Sequence, residues 1–318
     1  MTRLFFIVAV TLSGLFSCSG DDDVPLDAPD SSGQFTRTLS HNGVTRTYIL
    51  YVPDSYDETS NVPLMLNFHG FGQMADRYLR FADMRSLADS GSFILVYPQG
   101  ILLDGNPHWN AGLESDTNKS DADDFGFVEA LIDEIASSYR IDPARVYSCG
   151  FSNGAFFTYA LACYRSDRIA AIGSVAGTMM EETFNNCSPS HPTAMINIHG
   201  TSDAVVPYAG TVGLKSIDDV LDYWTDFNNA GATPTVNRIT DGATTIERHS
   251  YTDGNKDTSV EHYKVVNGGH AWFDISYEGD NTSALIWNFV SRYDIEGLRQ
   301  STGAHETSAT EAKLAHGN

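Results

Sequence analysis

The sequence predicts an α/β fold, a mostly parallel central sheet with helices on both faces, on three observations. Short apolar runs alternate along the chain with helical spacings, the signature of right-handed βαβ units. One run leads through the cramped turn Gly150-Phe151-Ser152-Asn153-Gly154 into a helix. Two later runs end in short turns that carry Asp203 and His270. In an open α/β sheet the carboxyl ends of the strands share one edge, so residues just beyond them gather on one face.

Taken in order, residues 1–18 read as a targeting segment outside the fold. Arg3 precedes an apolar stretch, residues 4–16, too short to span a bilayer comfortably. Leu15-Phe16-Ser17-Cys18 resembles a lipobox, which makes Cys18 a lipidation site, and Ser19-Gly20-Asp21-Asp22-Asp23 resembles an acidic surface-export tag. The expectation is an outer-membrane or cell-surface lipoprotein, with plain secretion or the periplasm as the alternative. Its one membrane contact is then the lipid at Cys18. Residues 19–33 read as an acidic flexible tether, 34–295 as a single folded domain and 296–318 as a disordered tail.

Residues 37–40 and 45–52 alternate polar and apolar positions around Asn42-Gly43, a hairpin signal. Residues 64–68 form an apolar run suited to a strand covered on both faces, ending in His69-Gly70-Phe71-Gly72-Gln73. A helical spacing over 74–90 leads to a second buried strand, 93–97, and a long polar loop bearing Trp109-Asn110 and Asp121, Asp123 and Asp124. Val128, Leu131, Ile132 and Ile135 place a helix up to about Arg140. The acids ahead of it suit its dipole. A calcium loop starting at Asp121 is the sharper reading, but Ile132 stands where its bidentate glutamate belongs, and no metal is expected.

Strand 146–150, a helix to about Tyr164, and strands 169–175 and 195–198 come next. A helix over 217–227, β-like runs at 236–240 and 247–251, a strand at 261–266 and a helix over 283–293 complete the domain. Cys149 lies in the strand feeding the turn, where a small buried residue is expected. Cys163, late in the following helix, and Cys187, in a polar loop, are the expected disulfide of an exported chain.

Gly-x-Ser-x-Gly between a strand and a helix is the pattern of a nucleophile elbow. The strained turn lifts the Ser152 hydroxyl above the sheet, and Gly150 and Gly154 let strand and helix approach. A serine nucleophile needs a base, and the base an acid that fixes its tautomer. The order Ser152, Asp203, His270 is that of α/β-hydrolases. His69 and His199, each strand-terminal and followed by glycine, read as architectural, and His108 as a candidate substrate contact. Backbone N–H groups of Asn153 and Phe71, with Gly70 as fallback, are the expected oxyanion donors. The chemistry calls for no cofactor. The net charge of −22 argues against nucleic acid or an anionic membrane as partner.

Several further motifs fall in order: Leu66-Asn67-Phe68-His69-Gly70-Phe71-Gly72-Gln73, Tyr97-Pro98-Gln99-Gly100, Trp109-Asn110, His199-Gly200-Thr201-Ser202-Asp203, Val206-Pro207-Tyr208 and Gly269-His270-Ala271-Trp272. With the elbow they resemble the polyhydroxybutyrate-depolymerase-like esterases, which include the feruloyl and acetylxylan esterases of carbohydrate esterase family 1, over residues 36–293. Ala155 and Phe273 depart from the pattern, standing where many members have glycine and proline. The resemblance implies an α/β-hydrolase domain without a large lid, with Ser152, Asp203 and His270 as its triad. It also implies an exported serine carboxylesterase that forms an acyl-enzyme on feruloyl or acetyl esters of plant polysaccharide fragments. Hydroxyalkanoate oligomers are the alternative substrate, and a non-catalytic surface binding protein is the remote alternative. Trp109, Trp272 and Phe71 either line an acyl pocket or pack in the core, and Gln73 is a candidate substrate contact.

Overall fold

The computed structural model describes residues 32–112 and 120–300. The expected export segment with Cys18, the tether up to residue 31 and the tail from residue 301 lie outside the described residues.

Strands β1 (Gly33–His41) and β2 (Val44–Val52) form the hairpin expected around Asn42-Gly43. Strand β3 (Val62–Phe68) is buried at every position. Helices α1 (Ala75–Phe81) and α2 (Arg85–Gly91) and strand β4 (Ile94–Pro98) follow. The single helix expected over 74–90 is broken in two by a side chain from the sheet. Tyr97 Oη donates to Ala82 O at 2.7 Å and accepts from Met84 N at 3.2 Å, while Asp83 Oδ1 accepts from Arg85 N at 3.0 Å to start α2. Tertiary contact overrides helical spacing here.

The polar loop that follows carries a small hairpin, β5 (Ile101–Leu103) and β6 (Asn106–His108), before α3 (Asp124–Ser138). Asp123 caps α3, its Oδ1 accepting from Gly126 N at 2.8 Å, so this acid serves the helix N-terminus. Then come β7 (Ile141–Phe151), α4 (Asn153–Tyr164), β8 (Ala171–Val175), a short unforeseen α5 (Glu181–Asn186) and β9 (Ala194–Gly200). Helix α6 (Ile217–Asn228), strands β10 (Thr235–Asp241), β11 (Thr244–Tyr251) and β12 (Val260–Val266), and helix α7 (Thr282–Val290) complete the main body. The folded chain passes the boundary expected at residue 295. Strands β13 (Tyr293–Asp294) and β14 (Gly297–Leu298) pair, and Arg299 N donates to Arg292 O at 2.8 Å.

Ten strands form one sheet in the order β1-β2-β4-β3-β7-β8-β9-β12-β11-β10. The central run from β4 to β12 is parallel, and antiparallel strands extend both edges. The alternation along β3 shows how both faces are filled. Leu64, Leu66 and Phe68 join a core with Leu131 of α3, Phe157 of α4 and Trp224 of α6. Met65 points into a second core with Tyr78 of α1, Ala88 of α2 and Ile286 of α7. Cys163, near the end of α4, is bridged to Cys187, just past α5, with Cα atoms 4.7 Å apart, and Cys149 is a buried free thiol in β7. The sheet thus brings the carboxyl ends of β3, β7, β9 and β12 to one edge, where the candidate residues lie.

Candidate active site

Ser152 stands between β7 and α4 with φ 53° and ψ −119°, a conformation an L-residue adopts only under constraint. The constraint is visible. Its N–H donates to Val175 O of β8 at 3.0 Å, and its carbonyl accepts from Ala155 N and Phe156 N at 2.9 and 3.0 Å. A Cβ on Gly154 would collide with the carbonyls of Phe68 and His69, and one on Gly150 with the backbone of Gly154. Both glycines of the elbow are therefore sterically required. The methyl of Ala155 fits because the facing residue, Gly177, has no side chain, and a Cβ there would collide with it. Phe273 is buried and packs beside Gly268.

His270 Nε2 lies 3.0 Å from Ser152 Oγ, and His270 Nδ1 lies 2.8 Å from Asp203 Oδ2. The carboxylate accepts, so Nδ1 carries the proton and Nε2 of the neutral ring faces the serine hydroxyl as acceptor. Asp203 is buried, and its Oδ1 accepts from Val205 N and Val206 N, both at 2.8 Å. Two backbone donors thus fix the carboxylate while its second oxygen orients the imidazole. Behind it, His199 Nε2 donates to Val206 O at 2.9 Å and lies 3.5 Å from Asp203 Oδ2. Burial holds His199 below its ordinary value, so it stays neutral beside the acid. The Phe151 ring lies 4.9 Å from that of His270, and Phe81, 46% exposed, lies 5.7 Å from Phe151.

Across from this line runs the turn after β3. A Cβ on Gly70 would come within 3.3 Å of Ser152 Cβ, so the turn lies directly against the elbow. Gly70 N donates to Gln73 Oε1 at 2.8 Å, Gly72 N to Pro107 O at 2.8 Å, and Gln73 N to Gly70 O at 3.2 Å. The fallback donor Gly70 is thus spent within the turn. His69 donates from Nδ1 to Gly70 O at 2.8 Å and accepts at Nε2 from Gly100 N at 2.9 Å. Burial pushes His69 down to about 4, so it is a neutral architectural ring.

Most of the expected substrate contacts are buried. Gln73, half-buried, braces the turn through Oε1, which accepts from Gly70 N. Trp109 is fully buried, stacked on Phe157 at 5.4 Å and edge-on to Phe68 at 5.1 Å, and lines no acyl pocket. Trp272 is also buried, edge-on to Tyr78 at 5.9 Å. His108 is held between Ile101 O at 2.9 Å and Ser120 Oγ at 2.8 Å. Phe71, by contrast, is exposed at the turn.

The side chain of Asn153 escaped the sequence reading. It pairs both ways with the backbone of Trp109, Oδ1 accepting from N at 2.8 Å and Nδ2 donating to O at 2.9 Å. An asparagine opening a helix as apolar as Gly-Ala-Phe-Phe was the available signal, because a buried amide must find partners. Asp124 behaves alike: fully buried, it pairs with Arg46 at 2.7 Å and accepts from Asn110 N at 2.8 Å.

Comparison with known proteins adds to this geometry. The profile of the family described as esterase PHB depolymerase matches residues 46–222. A bifunctional acetylxylan esterase/xylanase of Neocallimastix patriciarum is 29% identical over 82% of this chain, which spans only 35% of that relative's length. A feruloyl esterase C of Emericella nidulans is 28% identical over 66% of this chain and 73% of its own. Among solved structures, a CE1 ferulic acid esterase from Anaeromyces mucronatus superposes with a TM-score of 0.53. It covers 85% of this chain and 92% of its own, at 17% identity, a likeness that establishes the fold.

Proposed function

The chain belongs to the esterase PHB depolymerase family, and from that membership we propose that it is a serine carboxylesterase with Ser152, His270 and Asp203 as its triad. The single observation that carries the reading is the unbroken line from Ser152 Oγ through His270 to Asp203, at 3.0 and 2.8 Å.

Ser152 Oγ attacks the ester carbonyl carbon as its proton passes to His270 Nε2. Asp203 holds the Nδ1 proton and stabilises the imidazolium. The oxyanion is met by the N–H groups of Asn153 and Phe71, preorganised donors of the kind that supply much of the barrier lowering in acyl transfer. His270 then protonates the departing alcohol. Water, deprotonated by the same Nε2, attacks the acyl-enzyme and releases acid and free serine.

The substrates we propose are feruloyl or acetyl esters of plant polysaccharide fragments. Support comes from relatives named as acetylxylan and feruloyl esterases, and from the exposed Phe81 against Phe151, whose ring in turn lies beside His270, an apolar surface suited to an aromatic acyl group. The family's description favours hydroxyalkanoate oligomers as the second reading. Ferulate release measured against 3-hydroxybutyrate release from matched esters separates the two. A fluorophosphonate probe that labels the wild type but not Ser152→Ala supports the triad; failure to label the wild type removes it. Export and lipidation at Cys18 rest on the sequence alone, and palmitate incorporation that disappears in Cys18→Ala tests them.

A further inference from the structure

We propose that Trp109 is a positioning residue, a staple that fixes the two backbone donors of the oxyanion hole relative to each other; the inference rests on the esterase reading above. The donors come from separate parts of the chain, Asn153 opening α4 and Phe71 in the turn after β3. Sheet neighbourhood of β3 and β7 brings turn and helix within reach, and the turn's orientation is set by its further contacts, of which the backbone bond from Gly72 N to Pro107 O is one.

Trp109 touches both halves. Its main chain is clasped by Asn153, N to Oδ1 at 2.8 Å and O to Nδ2 at 2.9 Å. Its indole Nε1 donates to His69 O at 3.0 Å. That carbonyl belongs to the peptide unit joining His69 to Gly70, so the indole sets the plane from which the chain proceeds to Phe71. Trp109, Asn153 and His69 are all buried, where a hydrogen bond is stronger than at the surface and costly to leave unmade. The staple is itself anchored. Its ring stacks on Phe157, and the next residue, Asn110, donates its N–H to Asp124, the partner of Arg46. A buried ion pair thus holds residue 110, and residue 109 holds both sides of the oxyanion hole. The expected consequence is specific to the transition state, because only there does charge develop on the oxygen that the donors await.

The test measures kcat and KM on p-nitrophenyl acetate, together with the affinity of an arylboronic acid that forms a tetrahedral adduct with the serine. Trp109→Phe keeps an aromatic ring and removes the indole N–H. A 1 Å misplacement costs about a hundredfold, so a loosened turn that keeps its backbone bonds should cost about tenfold in kcat, with KM within about twofold and boronate affinity falling in parallel. Trp109→3-benzothienylalanine has the indole's shape without its N–H, and decides the matter should the phenylalanine variant fail to fold. Matched losses of kcat and boronate affinity at unchanged Tm support the staple. Unchanged kcat and boronate affinity, or a fall in Tm alone, overturn it. A wild type that neither turns over the ester nor binds the boronate overturns the esterase reading itself, and the staple with it.

Discussion

The two sides of the candidate site are built in opposite ways. On the proton-transfer side every working group is a side chain of chemically distinctive type, presented from a turn at a strand's end and held by one or two short bonds. Asp203 is fixed by two backbone N–H groups and His270 by Asp203. On the proposed oxyanion side the groups assigned the work are backbone amides, which any residue has, and the distinctive side chains stand behind them. His69, Gln73, Trp109 and Asn153 contribute hydrogen bonds that shape the turn and the elbow. In the proposed reading side chains do the chemistry on one side and position the backbone on the other.

That contrast predicts a steep gradient of mutational effects. Ser152→Ala should lower kcat by on the order of a million-fold, as removal of the triad serine does in a serine protease. Steady-state rates on p-nitrophenyl acetate check it, and a variant within a hundredfold of wild type would place the nucleophile elsewhere. Asp203→Asn should cost about ten-thousand-fold, because an amide at that position favours the wrong imidazole tautomer. Its fold should survive, since Asn keeps an acceptor oxygen for Val205 N and Val206 N, so unchanged circular dichroism with a collapsed kcat is the expected pair of results.

The same contrast explains what could be read from the sequence. The strands, the elbow and the meeting of Ser152, Asp203 and His270 were legible because each depends on a local pattern: an apolar run, a glycine pair about a serine, a charged or imidazole residue just past a strand. The roles of the tryptophan and the glutamine were not legible, for a physical reason. An aromatic or amide side chain near a site has the same composition signature whether it faces a ligand or props a loop; the packing of Trp109 on Phe157 and the bond from Gly70 N to Gln73 Oε1 are contacts visible only in the fold. The break between α1 and α2 was hidden likewise, because it depends on Tyr97, a residue from another element.

A third prediction uses the imidazole of the oxyanion side. Burial keeps His69 neutral down to about pH 4 in the folded protein, against an ordinary value of 6.5. Between those values the unfolded chain takes up a proton that the folded state refuses, so acid favours unfolding. The contribution is whole above pH 6.5 and is lost as pH falls toward 4. It amounts to about 3 kcal/mol. His199 and His262, also lowered by burial, act in the same direction. Urea unfolding at pH 7 and pH 4.5 should show this loss, and equal stabilities at the two values would contradict a buried neutral His69.

The smallest effect tests the contrast most finely. Gln73 Oε1 accepts from Gly70 N at 2.8 Å across a turn closed by Gln73 N to Gly70 O and tied outward by Gly72 N to Pro107 O. Gln73→Leu removes the side-chain acceptor and leaves the two backbone bonds. If Gln73 were a substrate contact, KM would rise and kcat would hold, since uniform binding energy had been lost. If it braces the turn, the Phe71 amide is displaced only slightly, kcat falls by about tenfold and KM stays within about twofold. The split should also be the same for acetyl and feruloyl esters, because a brace acts on the oxyanion common to both, whereas a contact would discriminate between acyl groups. Parallel kcat and KM values for the two esters separate these outcomes. A KM effect confined to one ester would return Gln73 to the substrate side and dissolve the division of labour between the two halves of the site.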